Sequence, residues 1–206
     1  MTIRKICALV FLLGTLAVIG AVQAASGTQL RVQVVDQNGV PVREAVVEID
    51  PGSGSSGPIR FPWRMAMAQK NMAFVPGTLV VAKGSSVAFP NLDTVRHSIY
   101  SFSKAAPFKI ELYGRDQTRK QAFPIAGSVA LGCNIHDGMR GYIRVVDTPF
   151  ASKTDGNGYV TIAGLPAKTV SVIVWHPHLR APNNELARSI KLIGGANSLK
   201  LPVRLR

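Results

Sequence analysis

Acidic residues are scarce in this chain: 11 Asp and Glu stand against 24 Lys and Arg, for a formal charge of +13 over 206 residues. A field of that sign favours acidic proteins, anionic lipid headgroups or nucleic acid as partners. No base-reading motif accompanies the charge, so nucleic acid is not expected. Cysteine is scarcer still, at two residues, and Cys7 falls in a segment with the character of a leader. Cys133 is then alone, which excludes an intramolecular disulfide in the mature chain. Its thiol is buried, paired with another molecule, or occupied by a metal. Helical periodicity is also missing past the leader, where alternation and β-branched runs dominate. Neither paired carboxylates, nor a nucleophile with an adjacent base, nor an open catalytic metal position can be identified, so an enzyme is not expected.

At the start, Arg4 and Lys5 precede an apolar run from Ile6 to Ala21 that ends in Val22, Gln23 and Ala24. A basic start, an apolar stretch near the lower limit for a membrane span and small residues before a break predict a signal peptide over residues 1–24, cleaved after Ala24. An uncleaved anchor is the alternative. Both put the rest of the chain outside the cytoplasm, periplasmic or secreted. Cleavage lowers the formal charge by two, because Arg4 and Lys5 leave and no acidic residue does.

The mature chain reads as all-β. Strands are expected at 30–35, 42–49, 73–75, 78–82, 86–89, 98–102, 108–113, 121–123, 127–131, 141–146, 159–162 and 170–175, with two more within 187–193 and 198–205. Asp36-Gln37-Asn38-Gly39 carries an Asn-Gly hairpin signal, so 42–49 is expected to return beside 30–35. Residues 51–64, rich in Gly, Ser and Pro at their start, read as a linker. An isolated hairpin is marginal in water, so the first one needs strands from elsewhere.

The segment Val34-Val35-Asp36-Gln37-Asn38-Gly39-Val40-Pro41-Val42, with Ala45 and Val47, is followed far downstream by Thr154-Asp155-Gly156-Asn157-Gly158-Tyr159 and Gly164-Leu165-Pro166. Together they resemble the carboxypeptidase regulatory-like β-sandwich, a carbohydrate-binding-like fold. In that family the two motifs lie close together. Their separation here implies an insertion, with residues 28–50 and 150–205 pairing in space around a second unit at 65–148.

That inserted unit holds the chemistry. Cys133-Asn134-Ile135-His136-Asp137-Gly138-Met139 places a thiolate, an imidazole and a thioether on one short loop, and His97 ends the upstream segment Asn91-Leu92-Asp93-Thr94-Val95-Arg96-His97. Two imidazoles, a thiolate and a weak thioether are the donor set of blue-copper sites. Zinc accepts the same nitrogen and sulfur donors, with Asp137 as a possible oxygen ligand. The pattern resembles the plastocyanin-like cupredoxins, amicyanin most closely in its Cys-x-x-His-x-x-Met loop, and the wider chain resembles methylamine utilisation proteins. The resemblance implies a cupredoxin-like Greek-key β-sandwich inserted in a second, smaller β-sandwich. It also implies one copper ion held by His97, Cys133 and His136 with Met139 axial, and one-electron transfer to a redox partner with an acidic surface. The chain departs from the family at Leu131, where an aromatic residue is usual, and at Ser98, where Asn is frequent. A copper carrier, or a carbohydrate- or protein-binding sandwich without a redox role, is the alternative.

Three further features stand apart. Met65, Met67 and Met72 form a small cluster expected to line a core or an interdomain seam. His176 and His178 flank Pro177 and suit either a weak surface metal site or a structural turn beside a buried Trp175. Arg140 directly follows Met139, so positive charge is expected near the copper loop, where it would steer an acidic protein or meet an anionic membrane surface.

Overall fold

The computed structural model describes residues 27–52 and 58–206. The expected leader at 1–24 and residues 53–57 of the expected linker lie outside the described residues. The described chain is all-β apart from one 3-10 turn at Pro182–Asn184. In order the strands are β1 (Thr28–Val35), β2 (Val46–Asp50), β3 (Ala68–Lys70), β4 (Ala73–Val75), β5 (Thr78–Ala82), β6 (Ser85–Pro90), β7 (His97–Ser101) and β8 (Phe108–Tyr113). They continue with β9 (Thr118–Phe123), β10 (Gly127–Gly132), β11 (Arg140–Val146), β12 (Ala151–Lys153), β13 (Tyr159–Leu165), β14 (Thr169–Trp175), β15 (Glu185–Lys191) and β16 (Ala196–Pro202).

Three larger sheets run β13-β1-β16, β12-β2-β14-β15 and β5-β11-β10-β7-β8, beside the pairs β3-β4 and β6-β9. Strands from the two ends of the chain therefore share sheets: β1 pairs antiparallel with β13 and parallel with β16, and β2 pairs with β12 and β14. Successive strand residues point to opposite faces, and that alternation stacks the sheets. From β2, Val47 and Ile49 join the core shared with β1, β13 and β14, whereas Val46 and Glu48 point the other way. From β11, Ile143 and Val145 enter the core under the Cys133 loop, whereas Arg144 and Val146 face β2. β5 divides likewise, with Leu79 and Val81 on one side and Val80 on the other. Both faces of β2 and β5 are thus covered, so every residue of β5 and the first four of β2 are buried instead of alternating with exposed ones. Each fully buried Val or Leu stabilises the stack by about 1.5–3 kcal/mol.

The seam between the two middle sheets holds Val46, Val80, Val146, Ala151 and Trp175, with Phe61, Trp63 and Tyr142 packed against them. Buried within the seam, Arg144 on β11 pairs through Nε with Glu48 on β2 and through Nη1 with Glu185 on β15 at 2.6 Å. At the sheet edges, Lys109 on β8 and Arg188 and Lys191 on β15 place charge where a bare strand would otherwise recruit another chain.

The expected hairpin of 30–35 with 42–49 does not form. Asp36 does make a turn, accepting from the N–H groups of Asn38 and Val40 at 2.8 Å each, but β1 and the returning segment touch only at a Val35–Pro41 bridge. Val34 N–H, which would continue the pairing past Val42, instead donates to Gly158 O at 2.8 Å. Glu44 then takes a left-handed backbone with φ 61°, and the chain crosses into the next sheet. Thr154 fixes that crossing: its Oγ1 donates to Val42 O at 2.6 Å and accepts from Ala45 N–H at 3.0 Å.

Candidate metal centre

His97 opens β7, and the loop before it is organised by fully buried Asn91. The Asn91 amide donates to Val95 O at 2.9 Å and Tyr113 O at 3.0 Å, and its Oδ1 accepts from Asp93 N–H at 2.9 Å. Asp93 is thereby aimed at His97, whose Nε2 donates to Asp93 Oδ2 at 2.8 Å. The same carboxylate accepts the backbone N–H groups of Asn71 at 2.6 Å and Met72 at 2.9 Å, so it ties His97 to the β3-β4 turn. Burial acts to raise the Asp93 pKa, but hydrogen bonds from Met72, His97 and Asn71 outweigh it, and the carboxyl lies below its usual value. With Nε2–H committed to Asp93, the lone pair of His97 resides on Nδ1.

Cys133 follows the last residue of β10, and Met139 precedes the first of β11. The loop between them is closed by Met139 N–H donating to His136 O at 2.9 Å. Ser98, next to His97, accepts from Asn134 N–H at 3.1 Å and places its hydroxyl 3.9 Å from Cys133 Sγ. This hydroxyl locks the two ligand-bearing segments together. Two glycines allow close packing here: a Cβ on Gly132 would overlap the Tyr100 ring, and one on Gly141 would lie 2.8 Å from Phe74 Cβ in the core.

Three donors converge. Cys133 Sγ lies 3.8 Å from His97 Nδ1 and 3.7 Å from His136 Nδ1, and all three atoms are within 4.8 Å of one another. With bonds of about 2.3 Å to sulfur and 2.0–2.1 Å to nitrogen, a sulfur and a nitrogen on one ion lie about 3.8 Å apart at a trigonal angle and about 3.5 Å apart at a tetrahedral one. The two sulfur-to-nitrogen separations therefore lie within reach of one shared ion. His97 and Cys133 are buried, and Met139 is buried in the same core as Cys133. His136 is half-buried and brings the donor set to the surface.

Asp137, a possible fourth ligand from sequence, is not in this group. Its exposed side chain lines a surface hollow with Tyr100, Phe102, Met139 and Arg140. The methionine cluster divides: Met67 is fully buried, Met65 packs against the core, and Met72 is exposed at a turn where both it and Asn71 have positive φ. Asp93 is the residue to which sequence assigned no supporting role, whereas Ser98 stands at a position expected to shape the hydrogen bonding around the ligands. For Asp93 the available signal was its position four residues before His97.

No protein-family model matches the chain, and no curated protein does. Among solved structures the chain is similar to an oxidised amicyanin variant at 22% identity, covering 40% of this chain and 82% of that one, with a TM-score of 0.38. It is similar at 19% to a purple cupredoxin from Nitrosopumilus maritimus, covering 39% of this chain and 98% of that one, with a TM-score of 0.36. It is also similar at 23% to a Cu-containing nitrite reductase from Thermus scotoductus SA-01, with a TM-score of 0.39, covering 48% of this chain and 26% of the reductase.

Proposed function

We propose that the chain is an exported copper protein that carries single electrons, and that His97, Cys133, His136 and Met139 would hold the ion. The observation that carries this reading is the pair of sulfur-to-nitrogen separations, 3.8 and 3.7 Å, around a buried thiol. Soft sulfur suits Cu(I), imidazole suits both oxidation states, and a trigonal site lies between their preferred geometries. Copper supplies the electron-accepting orbital when bound. The chain's own residues do the rest: Asp93 and Ser98 hold the donors in place, the buried side chains exclude water, and half-buried His136 is the route to a partner.

The burial of His97, Cys133 and Met139 supports electron transfer over catalysis. The excess of Lys and Arg favours an acidic partner, and an anionic membrane surface answers to the same field. Residues 28–50 and 150–205 serve as one supporting unit and 65–148 as the copper-bearing one. A glycan-binding role has less support: Trp175 is buried in the seam, Trp63 stacks on Phe61 at 4.7 Å, and Tyr159 lies under Arg31.

The test is to load the mature protein with Cu(II), record its visible spectrum, and cycle it between oxidation states with metal analysis at each stage. A strong visible band and full metal retention on reduction are expected. Release of copper on reduction would instead identify a carrier that delivers the ion, and absence of a band would defeat the reading.

Asp93→Ala is expected to weaken copper binding by about 10- to 100-fold, the usual effect of losing the group that orients a metal-bound histidine. It also releases the Asn71-Met72 turn. Competition against a chelator of known affinity measures the first effect. The reduction potential should rise, because a carboxylate that favours the oxidised ion is gone.

A further inference from the structure

A second pair of imidazoles lies away from Cys133, where β14 ends. His176, Pro177, His178 and Leu179 form a turn closed by Leu179 N–H donating to His176 O at 2.9 Å, with Pro177 at the position where its fixed φ suits such a turn. The two rings have centroids 5.5 Å apart and planes inclined by 59°. A ring bound through nitrogen at about 2.0 Å has its centroid about 3.2 Å from the ion, so two rings on one ion at angles of about 110–130° have centroids about 5.2–5.8 Å apart.

The turn is held from several directions. Asn184 donates from its side-chain amide to Pro177 O at 3.2 Å and Leu179 O at 2.8 Å, and its backbone carbonyl accepts from His176 N–H at 3.3 Å. Arg206 N–H donates to His178 O at 2.9 Å. Asn183 and Asn184 reach this position with φ of 54° and 59°, two successive left-handed residues, a costly backbone state that persists where surroundings over-determine it.

We infer that His176 and His178 form a second, surface site that binds one borderline divalent cation through a ring nitrogen of each imidazole, taking Cu(II) ahead of Zn(II). Imidazole suits both ions, and Cu(II) leads the affinity order for such donors. Water completes the coordination, because His178 is exposed and His176 is half-buried. The loss on binding is a long contact, His178 N–H to His176 Nδ1 at 3.3 Å, which limits the affinity without blocking it. No ligand is shared with Cys133, His97 or His136, so this site is independent of the electron-transfer reading.

Untagged mature protein titrated with Cu(II) is expected to bind two equivalents with distinct electron paramagnetic resonance signals. One signal, without thiolate character, should persist in Cys133→Ser and disappear in His178→Ala. The same Cu(II) should broaden the ring-proton resonances of both His176 and His178 in wild-type protein, which tests the site without any substitution. Unchanged stoichiometry in folded His178→Ala, or ring resonances untouched by the second equivalent, would overturn the assignment. Loss of the thiolate band with the second signal intact would defeat the copper-centre reading alone.

Discussion

Cys133→Ser is expected to abolish the visible thiolate-to-copper band completely while leaving the protein folded. The band requires a sulfur lone pair directly bonded to Cu(II), and neither His97 nor His136 can replace it. Serine is close in volume, and the buried position already has the Ser98 hydroxyl 3.9 Å from Sγ as a polar neighbour. The two imidazoles remain, so the variant still takes Cu(II), with a pale spectrum and weaker binding. Its affinity for Cu(I) should fall further than that for Cu(II), because a hard hydroxyl replaces the soft donor. Absorption spectra of copper-loaded wild type and variant, each with metal analysis, decide the matter. A visible band surviving in Cys133→Ser would mean that the thiol is not a ligand.

Glu48→Ala is expected to destabilise the fold, by less than the roughly 3–5 kcal/mol of a fully uncompensated buried charge, because Arg144 keeps Glu185 as a partner. Arg144 would be stranded in the seam, with Glu185 as its remaining carboxylate. Arginine cannot shed its proton to relieve the burial. Replacing both, as in Glu48→Met with Arg144→Met, should cost less than the single change, because the seam around them is already apolar and Glu185, left without Arg144, is 31% exposed and open to water. Urea unfolding with an unchanged slope measures both variants. The pH behaviour has the same origin. Burial is the largest influence on Glu48 and raises its pKa, and Arg144 only partly opposes it. The folded state therefore holds this proton more readily than the unfolded chain does, and the contribution of Glu48 to stability declines as pH rises above its ordinary value of 4.5. Equal loss in the single and double variants would show that packing, not the unpaired charge, sets the cost.

Strand positions were legible wherever a local pattern fixed them. The strand expected at 108–113 coincides with β8, and that expected at 86–89 lies inside β6, since alternation is a property of neighbouring residues. β3 and β12 were not legible, because three residues carry no measurable period. The Asn-Gly signal after β1 was misleading for a different reason. It specifies a turn, and Asp36 makes one, but the capture of Val34 N–H by Gly158 and the left-handed Glu44 decide that the chain leaves the sheet instead of returning along it.

By itself, the sequence determined the class of the fold and the donor types clustered at His97, Cys133, His136 and Met139. Both follow from residue chemistry and short spacing. Tertiary structure alone decided which strands share a sheet, that Arg144 would be buried between Glu48 and Glu185, and that Asp93 would orient His97 while gripping a distant turn. It also kept Asp137 out of the donor group. These depend on side-chain direction and on atoms tens of residues apart, and scarcity of acid gave no hint of them: three of the few carboxylates, Glu48, Asp93 and Glu185, stand where folding brings a cation or a histidine to meet them.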